Sequence, residues 1–198
     1  MRRSYALVAG AIVSGGILMG LLSQPGISFR TQPELRYTAL ALALIAVGCQ
    51  GLLLRFAARN PAERQVYLWA VGVVLLSWLV AFFSSPSGSS GGMTRLAMRL
   101  FHLPRSEAEN VVFWTRKCIH FTFYGTLSWF SFRWLTASGL AVKAAVVAAL
   151  GIALVHACYD EGRQSLFPDR TSSARDVLLD MAGAAVFVGS AANRRREQ

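Results

Sequence analysis

Six apolar stretches, each close to the ~20 residues an α-helix needs to cross a bilayer, constrain this chain more than any motif in it. They run Tyr5–Ser23, Tyr37–Leu54, Val66–Phe83, Cys118–Leu135, Leu140–Tyr159 and Val177–Ala192. Surrounded by lipid, such a run satisfies its backbone hydrogen bonds within a helix. The spacing predicts an all-α fold, a polytopic membrane helix bundle of about six transmembrane helices. The 198 residues are 54% hydrophobic and only 15% charged, against roughly a quarter charged in a soluble domain. The short connectors leave no room for a separate soluble domain.

The formal net charge is +10, which by itself suggests nucleic acid. Here the basic residues are dispersed at span ends, where anionic headgroups and membrane topology explain them, so no nucleic-acid partner is expected. Arg2 and Arg3 before an apolar run resemble a signal peptide. The run is long for one, and Ser23-Gln24-Pro25-Gly26 follows instead of a small-residue cleavage site, so a retained first span is expected. With the N-terminus cytoplasmic, Arg2, Arg3, Arg55, Arg59, Arg64, Arg133, Lys143 and Arg194–Arg196 lie inside, half of the 20 basic residues. The tie is broken by Arg2-Arg3 and Arg194–Arg196, which abut spans directly, where the positive-inside bias weighs most. We therefore expect both termini in the cytoplasm and the acidic span ends outside.

Between spans three and four, residues 84–93 read SSPSGSSGGM, a flexible composition. No Gly-Lys-Ser/Thr follows, so this is not a phosphate-binding loop. Over Thr94–Leu103, Leu96, Leu100 and Leu103 fall on one helical face and Arg95, Arg99 and His102 on another. That pattern predicts a short amphipathic helix at the outer interface. Trp114, Trp129 and Trp134 are expected as interface anchors. Cys49, Cys118 and Cys158 show no CxxC spacing and are expected as small packing residues; a Cys118–Cys158 bridge would require both at one packed interface. Gly183, Ala184 and Gly189 are expected to allow close helix packing. Glycine-rich faces on spans one and six suit dimers and intrachain packing equally, leaving the oligomeric state open.

Three polar elements interrupt the later spans. The first is Arg116-Lys117-x-x-His120-Phe121-x-x-Tyr124, in which Lys117, His120 and Tyr124 share a helical face. A titratable histidine one turn inside a membrane is a functional candidate, as are the cations above it. The second is Tyr159-Asp160-Glu161-x-x-Gln164-x-x-Phe167-Pro168-Asp169-Arg170, where span five leaves the membrane. His156, one turn below Asp160, is placed to pair with it. Carboxylates beside histidine suit acid–base work, although the spacing matches no strong metal motif. No metal and no cofactor are expected. The third is Ser173-x-x-Asp176-x-x-x-Asp180-x-x-Gly183. Ser173 with Asp176 has capping-box spacing. Asp180, one turn farther into an apolar helix, needs a cationic partner, and Arg116, Lys117 and Arg170 are the candidates.

Taken in this order, the three elements resemble the VanZ family of bacterial membrane proteins, with Phe82-Phe83-Ser84-Ser85 also fitting. The resemblance covers about residues 66–192, leaving two N-terminal spans in 1–65 and a basic cytoplasmic tail in 193–198. Arg163 stands where the family often has histidine, and Asp169 where it usually has glycine. The resemblance implies a multi-pass protein of the bacterial plasma membrane and cell envelope, in a family associated with glycopeptide (teicoplanin) resistance. Carried over by motif are Arg116, Lys117, His120, Tyr124, Glu161, Gln164, Phe167, Arg170, Asp176 and Asp180.

Three functional readings follow. In the first, an outward-facing pocket uses Arg116, Lys117 and Arg170, with Tyr124, Gln164, Phe167 and Asp176, to hold an anionic membrane lipid or lipid-linked glycan precursor; arginine forks suit phosphate. In the second, the same pocket is an active site acting on a lipid-linked or glycopeptide substrate, with His120, Glu161 or Asp180 as the acid–base residue. In the third, the polar residues only knit three helix ends together and function lies in partner contacts.

Overall fold

The computed structural model describes residues 2–23, 33–84, 90–167 and 172–196. Among these there are seven α-helices and no strand: α1 (Arg2–Ser23), α2 (Pro33–Arg59), α3 (Arg64–Phe83), α4 (Ser90–Phe101), α5 (Arg105–Ala137), α6 (Val142–Gln164) and α7 (Ala174–Arg196). A single 3-10 turn, Pro61–Glu63, leads into α3.

Five of these helices, α1, α2, α3, α6 and α7, are long and apolar enough to cross a membrane. The sequence pattern predicts six. The exception is α5, at 33 residues the longest helix. Its apolar stretch carries His120 and Arg133 and, at buried positions, Tyr124, Ser128 and Ser131, with buried Thr136 just beyond it. His120, Arg133 and these hydroxyls together lower its hydropathy; the side chains of Ser128 and Thr136 donate to backbone carbonyls, at 2.8 Å in each case.

The chain forms two compact units, and α5 and α6 contribute to both. The first comprises residues 1–82 and 129–149. Within it α1 packs on α2. Gly15 leaves room for the indole of Trp78, whose N–H donates to the Ala11 carbonyl at 2.9 Å. Gly72 does the same for Phe130, which meets Trp69 edge-on at 5.1 Å. Trp134 is buried against Tyr5, with ring centroids 5.1 Å apart, and Trp129 packs edge-on against Trp69 at 5.4 Å. Trp129 and Trp134 thus pack against other rings, while Trp114 is exposed. The α5–α6 turn closes on Gly139 at φ 85°. There the N–H of Leu140 reaches the Leu135 carbonyl and that of Gly139 the Thr136 carbonyl, the glycine C-cap arrangement.

The second unit comprises residues 83–128 and 150–198. Here α4 lies against the start of α5 through Ala97, Ala108 and Val112, with Met93, Met98 and Leu103 around them. The amphipathic helix starts four residues before the expected position. It turns Thr94 and Ala97 inward and leaves Leu96, Leu100 and Phe101 exposed. It ends at His102, φ 52°, so Leu103 leaves the leucine face predicted for it. Small residues let α5 and α7 approach. A Cβ at Gly183 would run into the backbone carbonyl of Phe121, and one at Gly125 into the Phe187 ring. The Ser128 hydroxyl lies 3.1 Å from the Ala184 carbonyl. Gly189, by contrast, has no atom of another element within 4 Å of a Cβ position among the described residues. Cys118 and Cys158 are both free and exposed, with no bridge between them.

Candidate functional site

The polar elements come together within the second unit, on α5, α6 and α7. The face of α5 predicted from spacing is real: Lys117, His120 and Tyr124 each find a carboxylate on another helix. Lys117 forms an ion pair with Asp176. His120 Nδ1 lies 3.2 Å from Asp180 Oδ1. The Tyr124 hydroxyl donates to Asp160 Oδ2 at 3.2 Å and lies 3.4 Å from the His156 carbonyl oxygen. Partners on α5 and α7 advance together along the chain, 117 with 176 and 120 with 180, so these two helices run parallel.

On α6, Asp160 is buried and accepts a second hydrogen bond, from Gln164 Nε2 at 2.8 Å. Its oxygens thus go to Tyr124 and Gln164, while His156 Nδ1 meets the Ile152 carbonyl of its own helix at 2.8 Å. The expected His156–Asp160 pairing gives way to these contacts. Phe167 is buried at the end of the same segment. Arg170 lies outside the described residues. Among those residues no cluster of histidine, cysteine and carboxylate side chains is arranged to hold a metal.

The capping of α7 departs from the capping-box expectation. Ser173 Oγ accepts from the Arg175 N–H at 3.2 Å. The Ser173 N–H, which a capping-box acid at position 176 would accept, instead donates to Glu161 Oε2 of α6 at 2.7 Å. Glu161 replaces Asp176 in the cap, and Asp176 is released to Lys117.

A cavity of about 640 Å³ opens beside this network. Ser90, Gly91, Thr94, Arg95 and Met98 line it from α4, and Asp176 from α7. From α5 come Arg105, Glu109, Val112, Phe113, Arg116, Lys117 and His120. Four cationic side chains therefore face two carboxylates. Arg105 Nε pairs with Glu109 at 2.8 Å, and Lys117 pairs with Asp176 while lying 5.2 Å from the Phe113 ring centroid. Arg95 and Arg116 have no carboxylate partner among the described residues. The unbalanced charge on the wall is positive.

Of the residues singled out from sequence, Arg116, Lys117, His120 and Asp176 line this cavity. Asp180 touches it through His120, while Tyr124 and Gln164 belong to the buried network behind. Glu161 and Phe167 sit at the α6 end, away from the cavity wall. Sequence reading assigned Arg95 to an interfacial face and gave Glu109 and Phe113 no role. The i, i+4 spacing of Arg105 with Glu109 and of Phe113 with Lys117 was the available signal.

A family model described as VanZ/LLP1 matches residues 66–193, about two thirds of the chain. No match is found among curated proteins or among solved structures.

Proposed function

We propose that this chain, which belongs to the VanZ/LLP1 family, is a multi-pass protein of the bacterial cell envelope that binds an anionic lipid or lipid-linked envelope precursor in its cation-lined cavity. One observation carries the reading: Arg95 and Arg116 share a cavity wall and have no carboxylate partner among the described residues. Guanidinium groups held this way suit a phosphate, which accepts their paired N–H donors.

The membrane setting follows from five span-length apolar helices, with α5 as the sixth crossing. It runs parallel to α7 through contacts from Lys117–Asp176 to Gly125–Phe187, which favours the same path through the bilayer. In this reading α4 lies at the membrane interface with Leu96, Leu100 and Phe101 toward lipid. Both termini are cytoplasmic, and the charged cluster is extracytoplasmic. Arg170, close in sequence to the α6 end, joins the anion-binding set, and a part in glycopeptide (teicoplanin) resistance comes with the family.

Native mass spectrometry of the purified protein, wild type beside Arg116→Ala, tests the reading. Wild type is expected to retain an anionic lipid or polyprenyl phosphate that the variant loses. Equal retention by the two would overturn the anion-binding assignment.

A further inference from the structure

We infer that the cavity is a hydrolytic site for lipid diphosphates, with His120 as its general base and Asp180 as the residue that positions it. The inference rests on the anion-binding reading and adds chemistry to it.

The argument starts at the imidazole. His120 lines the cavity, yet its Nδ1 is turned away to Asp180 at 3.2 Å. Asp180 is 0% exposed. Its second oxygen, Oδ2, has no hydrogen-bond partner among the described residues, so the imidazole is its one such contact there. A carboxylate at Nδ1 keeps the proton on that nitrogen and leaves the Nε2 lone pair available. Among the described residues, Asp180 is the one hydrogen-bond partner of the His120 ring, which also lies beside the ring of Tyr124, 6.2 Å between centroids. Nε2 is therefore unengaged, in a histidine on the wall where Arg95 and Arg116 favour a phosphate. A positioned base beside a bound anion is what water attack on phosphorus requires.

The lining also points to the leaving group. Both cavity carboxylates are committed, Glu109 to Arg105 and Asp176 to Lys117. Among the described residues, that leaves no uncommitted carboxyl group on this wall to protonate a departing alkoxide. A phosphate departs as a stable anion and needs electrostatic support, which the arginines supply. The substrate class is thus a lipid carrying a diphosphate, cut at the phosphoanhydride. The water oxygen bonds to the terminal phosphorus. The bond from that phosphorus to the bridging oxygen breaks, and its electron pair stays with the oxygen. His120 Nε2 takes a proton from the water and passes it to solvent. The products are the lipid monophosphate and inorganic phosphate.

The test uses the full chain in detergent with farnesyl diphosphate, following phosphate release, and the methylene-bridged analogue to measure binding. Wild type should release phosphate. His120→Gln should lose at least about 100-fold in kcat while holding the analogue within about twofold. Asp180→Asn should lower kcat with KM unchanged, a split that loss of packing alone would not give. Should His120→Gln fail to fold, His120→Gly assayed with added imidazole substitutes for it, and rescue of turnover supports the base. Wild type that binds the analogue in an Arg116-dependent way but releases no phosphate overturns the hydrolytic inference and leaves anion binding standing. Wild type that binds neither the analogue nor any anionic lipid overturns both. Full turnover in His120→Gln removes His120 from the chemistry.

Discussion

The N-cap of α7 is completed by a residue of α6. In a capping box the acid three residues into the helix returns to the cap N–H, and Asp176 stands at that place. It pairs with Lys117 instead, and Glu161 Oε2 takes the Ser173 N–H at 2.7 Å. Removing that acceptor leaves a partly buried donor without a partner. Glu161→Ala should therefore lower stability by about 1–2 kcal/mol, read as a fall in Tm in detergent. Glu161→Gln retains an amide oxygen and should lose less. Equal losses would mean that the charge, and not the acceptor, is what the helix start uses. From sequence, Asp176 is the candidate cap as well as a candidate site residue, and the contacts give the cap N–H to Glu161. Spacing within one helix was legible: Lys117, His120 and Tyr124 do share a face. Which carboxylate each side chain meets, 59 residues away for Lys117 and 36 for Tyr124, depends on how the helices dock, and periodicity does not carry that.

At the scale of elements, the α5–α7 contact holds the candidate site together. His120 and Lys117 meet their partners only because the two backbones approach closely at Gly183, where a Cβ would strike the Phe121 carbonyl. Backbone cannot swing aside as a flexible side chain can. Gly183→Ala should force the helices apart and destabilise by about 1–3 kcal/mol, and it should loosen the His120–Asp180 contact as well. Gly189→Ala, facing open space, is the matched control and should leave the Tm unchanged or slightly raised, because alanine favours helix. Similar Tm values for the two variants would mean that the close approach does not hold the helices. Sequence marked both glycines as packing residues, since a small side chain reads alike on either face. It also read α5 as one more apolar span. The buried hydroxyls of Tyr124, Ser128 and Thr136 are hydrogen-bonded within the protein, which hydropathy alone does not separate from a poor span.

For the molecule as a whole, the status of α5 decides the topology. Five crossings put the two termini on opposite sides of the membrane; six put them on the same side. Five helices qualify on length and apolarity, and a sixth crossing would rest on α5 running alongside α7. A membrane-crossing α5 also accounts for the burial of Tyr124, Ser128 and Ser131. Tyr124, Ser128 and Ser131 are at most 2% exposed, as polar groups at membrane depth must be to avoid an unpaired cost in lipid. Arg2-Arg3 and Arg194–Arg196 abut α1 and α7, and the positive-inside bias favours the cytoplasmic side for such short flanks. Reporter fusions that are active on only one side of the membrane, placed at each terminus in turn, should report the cytoplasm for both. A cytoplasmic N-terminus with an extracytoplasmic C-terminus would reduce the count to five. It would place α5 at the membrane surface and α7 in the reverse sense, and the parallel pairing of Lys117 with Asp176 and His120 with Asp180 could not then form across the bilayer.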